Sequence, residues 1–414
     1  MKIQSLRGMP DLFPEDLDRW HIFESKLSKI FHSFGTREIR TPLLESTELF
    51  SRSVGNSSDI VNKELYSFLD RNEESISLRP EGSASVIRAI IQKKQEQEKH
   101  KLWYQGSMFR YERPQKGRFR QFHQVGVEYL GFEEGISEYE LISMVLQINR
   151  IIGISNYIIK INHLGDKIAK ESFSKSLVSF LQPHINELHE KDQARLKSNP
   201  LRVLDSKEKS TQELLEHGPK FQDFISEESK NFLQNLVDTY SDHCDIQIDQ
   251  SLVRGLDYYT GIVFEAVSHE LGAQDAFLGG GRYDNLSKQL GGKEMFSIGF
   301  AIGVERIIEL LSIEDVKKSL KVGFIVAGEQ NNKKTYKIAD DLRSSNNSII
   351  LDTFLSEGSL KSQLRKANKN NCSHAIIVGD NELKNNQIIW KDLSGDGEQE
   401  LLSLKEVIEK YTNL

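Results

Sequence analysis

Residues 17–34 place Trp20, Phe23, Leu27, Ile30, Phe31 and Phe34 at three-and-four spacing, which predicts an amphipathic helix with one buried face. Gly35 closes it, as a glycine after the last turn commonly does. Further on the period changes to two. Residues 102–111 read as a strand, and in the next strand Gln124, Gly126 and Glu128 fall on one face while Val125, Val127 and Tyr129 fall on the other. Together they predict an antiparallel hairpin. Its loop, around Pro114 and Gly117, is longer than the roughly 2 to 5 residues of an ordinary hairpin connection, and such long loops are commonly functional.

The remaining elements follow from the same reading. TREIRTPLLE is extended around Pro42 and suits a sheet edge, an interface or a plain loop. In SLRPEGSAS, Pro80 keeps Arg79 extended, and Ser83 is placed to cap a helix over 83–97. Helical pattern returns at 138–152, a short strand at 157–161, and from 167 to 240 the chain is helix-rich and charged, an inserted helical subdomain in which only NPLRVLDSK (199–207) stands out. Strand character resumes over 251–267, SLVRGLDYYTGIVFEAV. FLGGGRYDNL at 277–286 carries three consecutive glycines, which permit close backbone approach or a tight turn. Residues 297–311 pass from a small-residue strand into a helix near Val304, and 313–320 reads as a connector. Strands at 322–327, 348–353 and 375–378 then alternate with helices at 333–344 and 360–370, the pattern of a compact α/β domain.

Composition narrows the class. The chain has 414 residues, enough for two or three domains. A hydrophobic fraction of 38% and a mean hydropathy of −0.47 offer no transmembrane span and no signal core, so the cytoplasm is the expected compartment, without membrane association. Cys244 and Cys372 lie far apart and form no CxxC pair, which indicates neither zinc nor a disulfide framework. The net charge of −7 argues against non-specific coating of nucleic acid and leaves room for local basic surfaces.

Those surfaces are where chemistry is expected. The loop FRYERPQKGRFRQF holds Arg110, Arg113, Lys116, Arg118 and Arg120 against Glu112. Guanidinium forks bind phosphate oxygens bidentately and keep their charge, so the loop reads either as a phosphate site or as solvated surface. Arg254 interrupts an apolar stretch and either pairs with Asp257 or meets a ligand, because a buried unpaired arginine is costly. Arg306 falls in the first turn of its helix, where the dipole favours anions. It suits an anionic ligand or a pairing with Glu305 or Glu309. Lys361, Arg365, Lys366 and Lys369 form one basic helix face, solvated or RNA-binding.

In order along the chain, these segments resemble the motifs of class II aminoacyl-tRNA synthetases, specifically the histidyl-tRNA synthetase family of the bacterial type. RTPLLE is similar to the first class motif, FRYERPQKGRFRQF to the second and GFAIGVERI to the third, while LVRGLDYYTG and LGGGRYDNL resemble segments peculiar to the histidine enzymes. NPLRVLDSK and SLKSQLRKANKN extend the resemblance over nearly the whole chain.

The resemblance implies an α+β fold: a catalytic domain over 1–320 on an antiparallel sheet, with a helical insertion at about 167–240, and an α/β anticodon-binding domain over 321–414. It implies a homodimer formed through the region of Pro42, and histidine, ATP with Mg2+, and tRNA(His) as partners, with no metal site of the protein's own. By the same token Arg110 holds the α-phosphate and the substrate carboxylate. Arg118 and Arg306 hold the outer phosphates, Arg306 also lies against adenine, and Arg254 is the catalytic arginine. Histidine is read by Glu81, Ser83 and Gln124 at the ammonium and by Glu128 and Tyr259 at the imidazole, with Tyr258 beside them; Ser83 stands where the family more often has threonine. Gly126 would leave room between the two substrates. The alternative is a non-catalytic paralogue acting as the regulatory subunit of ATP phosphoribosyltransferase, a class that generally lacks the anticodon domain.

Overall fold

The computed structural model describes residues 3–55, 58, 60–115, 117–272, 275–311, 320–327, 333–353, 358–394 and 398–414. The chain divides into two compact units, 1–315 and 316–414. Of the expected connector, only Leu320 lies among the described residues; Lys116 also falls outside them.

The first unit is built on an eight-stranded sheet. Across it run Arg37–Glu38, His100–Phe109, Gln121–Leu130, Ser297–Gly303, Ala276–Arg282, Thr260–Val267, Ile158–His163 and Asp245–Ile248. The interior pairings are antiparallel and the two outermost are parallel. Alternation along the strands gives each face its own core. Val125, Val127 and Tyr129 share one core with Trp20, Phe23, Leu27 and Phe31 of the helix Pro14–Ser33 and with Ile142 and Val145 of the helix Ile136–Ile152. Burying each such side chain contributes roughly 1.5–3 kcal/mol, so the predicted amphipathic face anchors the first helix.

Tyr104, Met108 and Val263 point to the other face, where they meet Val86 and Ile87 of the helix Ser83–Lys93 and Phe173, Leu177 and Phe221 of the insertion. The final helix of the helix-rich stretch, Glu227–Tyr240, instead buries Leu233 and Leu236 in the first core, so it belongs to the opposite layer.

A small sheet of Leu44–Ser46, Ser75–Leu78 and Tyr66–Leu69 stands beside the large one. One of its faces carries the hydroxyl contacts Thr47–Ser77 and Ser67–Ser77, at 2.8 and 2.7 Å. Register places Leu44, Leu78 and Tyr66 abreast, and Ile76 and Phe68 abreast, on the other face. Pro42 is exposed just before this sheet.

The second unit has a five-stranded sheet in the order Ile350–Thr353, Lys321–Ala327, His374–Gly379, Gln387–Asp392 and Gln399–Ser403, parallel on the first side and antiparallel on the second. The helices Lys333–Ser345 and Leu404–Thr412 cover Phe324, Ile376 and Trp390. The helix Leu360–Lys369 buries Gln363 and Ala367 and leaves Lys361, Arg365, Lys366 and Lys369 exposed.

Three expectations change. The helix after Pro80 stops at Lys93 rather than 97, where Lys94 turns left-handed. The stretch at 251–267 becomes strand only from Thr260, so Arg254, Tyr258 and Tyr259 ride on a loop. The glycine run lies inside the strand Ala276–Arg282, and a β-carbon on Gly280 would meet the Gly299 carbonyl oxygen at 2.2 Å. It is close packing between strands, not a tight turn, that requires glycine there.

Candidate active site

One cleft lies open on the second face of the large sheet. It gathers nine of the nominated residues: Glu81, Ser83 and Gln124, Arg110, Arg118 and Arg306, and Arg254 with Tyr258 and Tyr259. Glu128 stands behind Ser83 rather than on the wall, and Pro42 lies elsewhere.

The long hairpin loop forms the basic end. Arg110 donates from Nε to the Pro80 carbonyl at 3.0 Å, and its guanidinium lies over the Phe122 ring at 5.1 Å. Arg118 pairs with Glu112 at 2.7 Å. From the helix Val304–Leu310, Arg306 reaches the carbonyl oxygens of Gly117, at 3.4 Å, and Ala276. Burial, reinforced by the nearby charges of Arg118 and Arg110, holds the Arg306 pKa below its ordinary value. A bound anion would reverse that repulsion. Arg113 and Arg120 are not part of this wall: Arg113 is exposed, and Arg120 stacks on Tyr111 at 3.8 Å.

Arg254 occupies the middle of the cleft. Its partner is Glu265, at 2.9 Å, and not Asp257. Asp257 instead accepts a hydrogen bond from Asn199 at 2.9 Å, because the loop turns it towards the insertion. Burial opposes charge on Arg254, yet Glu265 and Tyr259 outweigh it and raise its pKa.

The other end is carboxylic and phenolic. Glu81 is buried and accepts the backbone N–H groups of Ser83 and Ala84 at 2.6 and 2.9 Å. The helix start is thus capped by Glu81, leaving the Ser83 hydroxyl to donate to Glu128 at 2.6 Å. That overturns the capping role expected of Ser83, since the shorter Ser83 side chain already lies inside the helix. Tyr283 donates to the second Glu128 oxygen. Burial pushes the Glu128 carboxyl up to about 8, and the Ser83 and Tyr283 hydrogen bonds only partly offset it. Burial likewise raises the Glu81 pKa.

Gly126 has a different reason from the one expected. It lies directly opposite Tyr104, and a β-carbon would come within 2.3 Å of that ring, as would one on Gly82 at 2.2 Å. The space belongs to Tyr104. Gln124 Oε1 and Arg254 Nε, like the Tyr104 hydroxyl, are buried in the cleft with no hydrogen-bond partner among the described residues, the condition of groups that await a ligand.

Four residues of the site escaped sequence reading: Tyr104, Glu265, Tyr283 and Phe122. Glu265 was signalled by an acid inside an apolar strand, and Tyr104 by its register opposite a glycine. Nothing local signalled the Tyr283 bond to Glu128, which ties the residue after the strand Ala276–Arg282 to a strand distant in sequence.

An arginine-lined end, a central arginine and a carboxylate-tyrosine end suit a phosphate-bearing substrate beside a small polar cation. Comparison with known proteins gives the family. The family model described as histidyl-tRNA synthetase matches residues 8–307, and that described as anticodon binding domain matches 321–414. The chain is 40% identical to a histidine–tRNA ligase of Ruthia magnifica, covering 99% of this chain and 98% of that one. It is 41% identical to that of Francisella philomiragia, with 98% of each covered. Among solved structures, the apo histidyl-tRNA synthetase of S. aureus superposes with a TM-score of 0.81 at 32% identity, over 99% of this chain and 100% of that one. With this likeness running from end to end, the chain belongs to the histidyl-tRNA synthetase family.

Proposed function

We propose that the chain is a histidine–tRNA ligase acting in two steps. A histidine carboxylate oxygen attacks the α-phosphorus of ATP, the bond to the β-phosphate oxygen breaks, and histidyl-adenylate and pyrophosphate form. A hydroxyl of the terminal adenosine of tRNA(His) then attacks the histidyl carbonyl, and AMP leaves. The observation that carries this reading is the single cleft with arginines at one end, a buried carboxyl-tyrosine cluster at the other and Arg254 between.

The residue roles follow from charge and place. Arg110, Arg118 and Arg306 neutralise the triphosphate, with Arg110 also meeting the substrate carboxylate. Phe122, under Arg110, offers an apolar ring to the adenine end. Arg254 stabilises charge developing at the α-phosphate, where removing one such donor typically costs about 10²–10³ in rate. Glu81, Ser83 and Gln124 take the ammonium, and Glu128 and Tyr259 the imidazole, beside Tyr258. A site that hydrogen-bonds polar substrate groups rejects analogues lacking them far more strongly than an apolar pocket does.

Mg2+ enters as part of the ATP substrate. Among the described residues no group of three or more His, Cys, Asp or Glu side chains is placed to hold a metal, and Mg2+ commonly keeps phosphate oxygens and water as ligands. Residues 1–320 supply the catalytic domain, 321–414 the anticodon contacts, and the protein works as a homodimer in the cytoplasm, where tRNA(His) is met. Among the described residues no helix is long and apolar enough to cross a membrane.

The alternative, a regulatory subunit without catalysis, is disfavoured by the intact set Arg110, Arg254 and Arg306 and by the match over 321–414. Histidine-dependent exchange of pyrophosphate into ATP separates the two. Exchange with histidine and not with other amino acids supports the ligase, and absence of exchange sinks it.

A further inference from the structure

The segment NPLRVLDSK has no role in the chemistry above, yet it touches the loop that carries Arg254. Its Pro200–Val203 turn lies at the end of the helix Glu190–Ser198 in the insertion. Arg202 donates to the Gly255 carbonyl and lies 3.7 Å from the Asp257 carboxylate. Asn199 donates to the same carboxylate at 2.9 Å. Lys170, from the insertion helix Lys167–Leu181, adds donations to the carbonyls of Asp257, at 3.3 Å, and Tyr259, at 2.8 Å.

The loop from Gly255 to Tyr259 is thus held from outside by the insertion, through backbone carbonyls and one carboxylate. Outside a strand, a loop depends on such bonds for its place, because irregular backbone has no ladder of its own. The turn is itself fixed. Ser206 and Thr211 both donate to the buried Asp192 carboxylate, Thr211 at 2.9 Å, and Arg195 pairs with it at 3.0 Å. Arg202 therefore joins the insertion directly to Gly255, the residue following Arg254, while Asn199 and Lys170 hold the same loop at Asp257 and Tyr259.

We propose that the Asn199–Val203 turn of the insertion positions Arg254 for nucleotidyl transfer, with Arg202 and Asn199 as positioning residues that act on the reaction only through the Gly255–Tyr259 loop. This rests on the ligase reading. Neither side chain needs to touch substrate: loss of the clamp lets the loop drift, and a misplacement of about 1 Å is enough to cost on the order of 100-fold in rate. Whatever binds or tilts the insertion then acts on Arg254 through the same contacts, which makes the turn the mechanical link between insertion and active site.

The test uses the full-length protein in histidine-dependent pyrophosphate exchange. Exchange by the unmodified chain is measured first, and its absence would fail the ligase reading before the clamp is addressed. Arg202→Ala is expected to lower kcat by on the order of 100-fold while KM for ATP stays near that of the parent. Arg202→Lys, which keeps one donor to the Gly255 carbonyl, is expected to restore part of the rate. The deciding measurement is the pair Arg202→Ala with Arg254→Ala: if Arg202 acts only through Arg254, the double variant is no slower than Arg254→Ala by itself. Losses that multiply, or a rise in KM with kcat unchanged, would overturn the inference. Asn199→Ala removes one hydrogen bond only and carries the same expectations at smaller size, so the cycle can be completed even where Arg202→Ala does not fold.

Discussion

Arg254 lies so close over the backbone of Gly279 that a β-carbon there would meet its Nη2 atom at 2.0 Å. The obstacle is the far end of a side chain, not backbone, so Gly279→Ala is expected to move the guanidinium rather than the strand. Pyrophosphate exchange should fall on the order of 100-fold, with the melting temperature near that of the parent. An unchanged rate would mean that the reaction does not depend on where Arg254 rests.

Arg254→Ala is expected to leave ATP and histidine affinity largely intact and to cut the adenylation rate about 10²–10³-fold. Equilibrium binding and single-turnover adenylation measured side by side separate the two effects. Equal losses in both would make the arginine mainly a binding residue, and Glu265, its partner at 2.9 Å, would then be holding a binding group in place.

The buried Glu128 carboxyl gives a pH dependence with a definite sign. Its pKa in the fold is about 8 against an ordinary 4.5, so between those values the native state keeps a proton that the unfolded chain has released. Stability from this group is therefore complete below about 4.5 and is lost as pH rises towards about 8; Glu81, also raised, acts in the same direction. Thermal melts from about pH 5 to about pH 8.5 should decline for the parent and decline less for Glu128→Gln. Parallel curves would refute this account. The same variant should raise KM for histidine, and an unchanged requirement would remove Glu128 from the imidazole site.

Leu44 and Phe68, on one face of the small three-stranded sheet, are 44% and 48% exposed. Apolar side chains presented together on a sheet face mark an association surface, and this one adjoins Pro42. Sedimentation of the parent should give a dimer, and Phe68→Asp should shift it towards monomer. A parent that sediments as a monomer at micromolar concentration would remove the dimer from the account.

Legibility in the sequence tracked how local the determining physics is. The first helix was readable from Trp20 to Phe31 because its burial repeats with the helical period, and the hairpin from Gln124 to Tyr129 because strand faces alternate. The second unit was readable for the same reason, its strands and helices falling close to where the apolar runs lie. Residues whose state depends on another strand were not. Arg254 reads in sequence as part of a strand, paired with Asp257 or meeting a ligand, but the chain is outside the sheet there and Glu265 reaches it from the strand that follows. Ser83 looked like a helix cap because serine commonly is one, and only the buried carboxyl of Glu128 gives its hydroxyl another use. Arg79 offered no signal either: it reads as an extended residue, yet it is buried and ties Thr41 to the Ser107 carbonyl at 2.9 and 3.1 Å.

Tyr104, held between Gly82 and Gly126, ties three positions into one heritable unit. A chain that acquires alanine at 82 or 126 must give up the ring at 104 in the same step, and one that keeps the ring is barred from both changes. Descent at these sites is therefore stepwise only through a smaller residue at 104, so relatives that keep the ring at 104 should keep glycine at both 82 and 126.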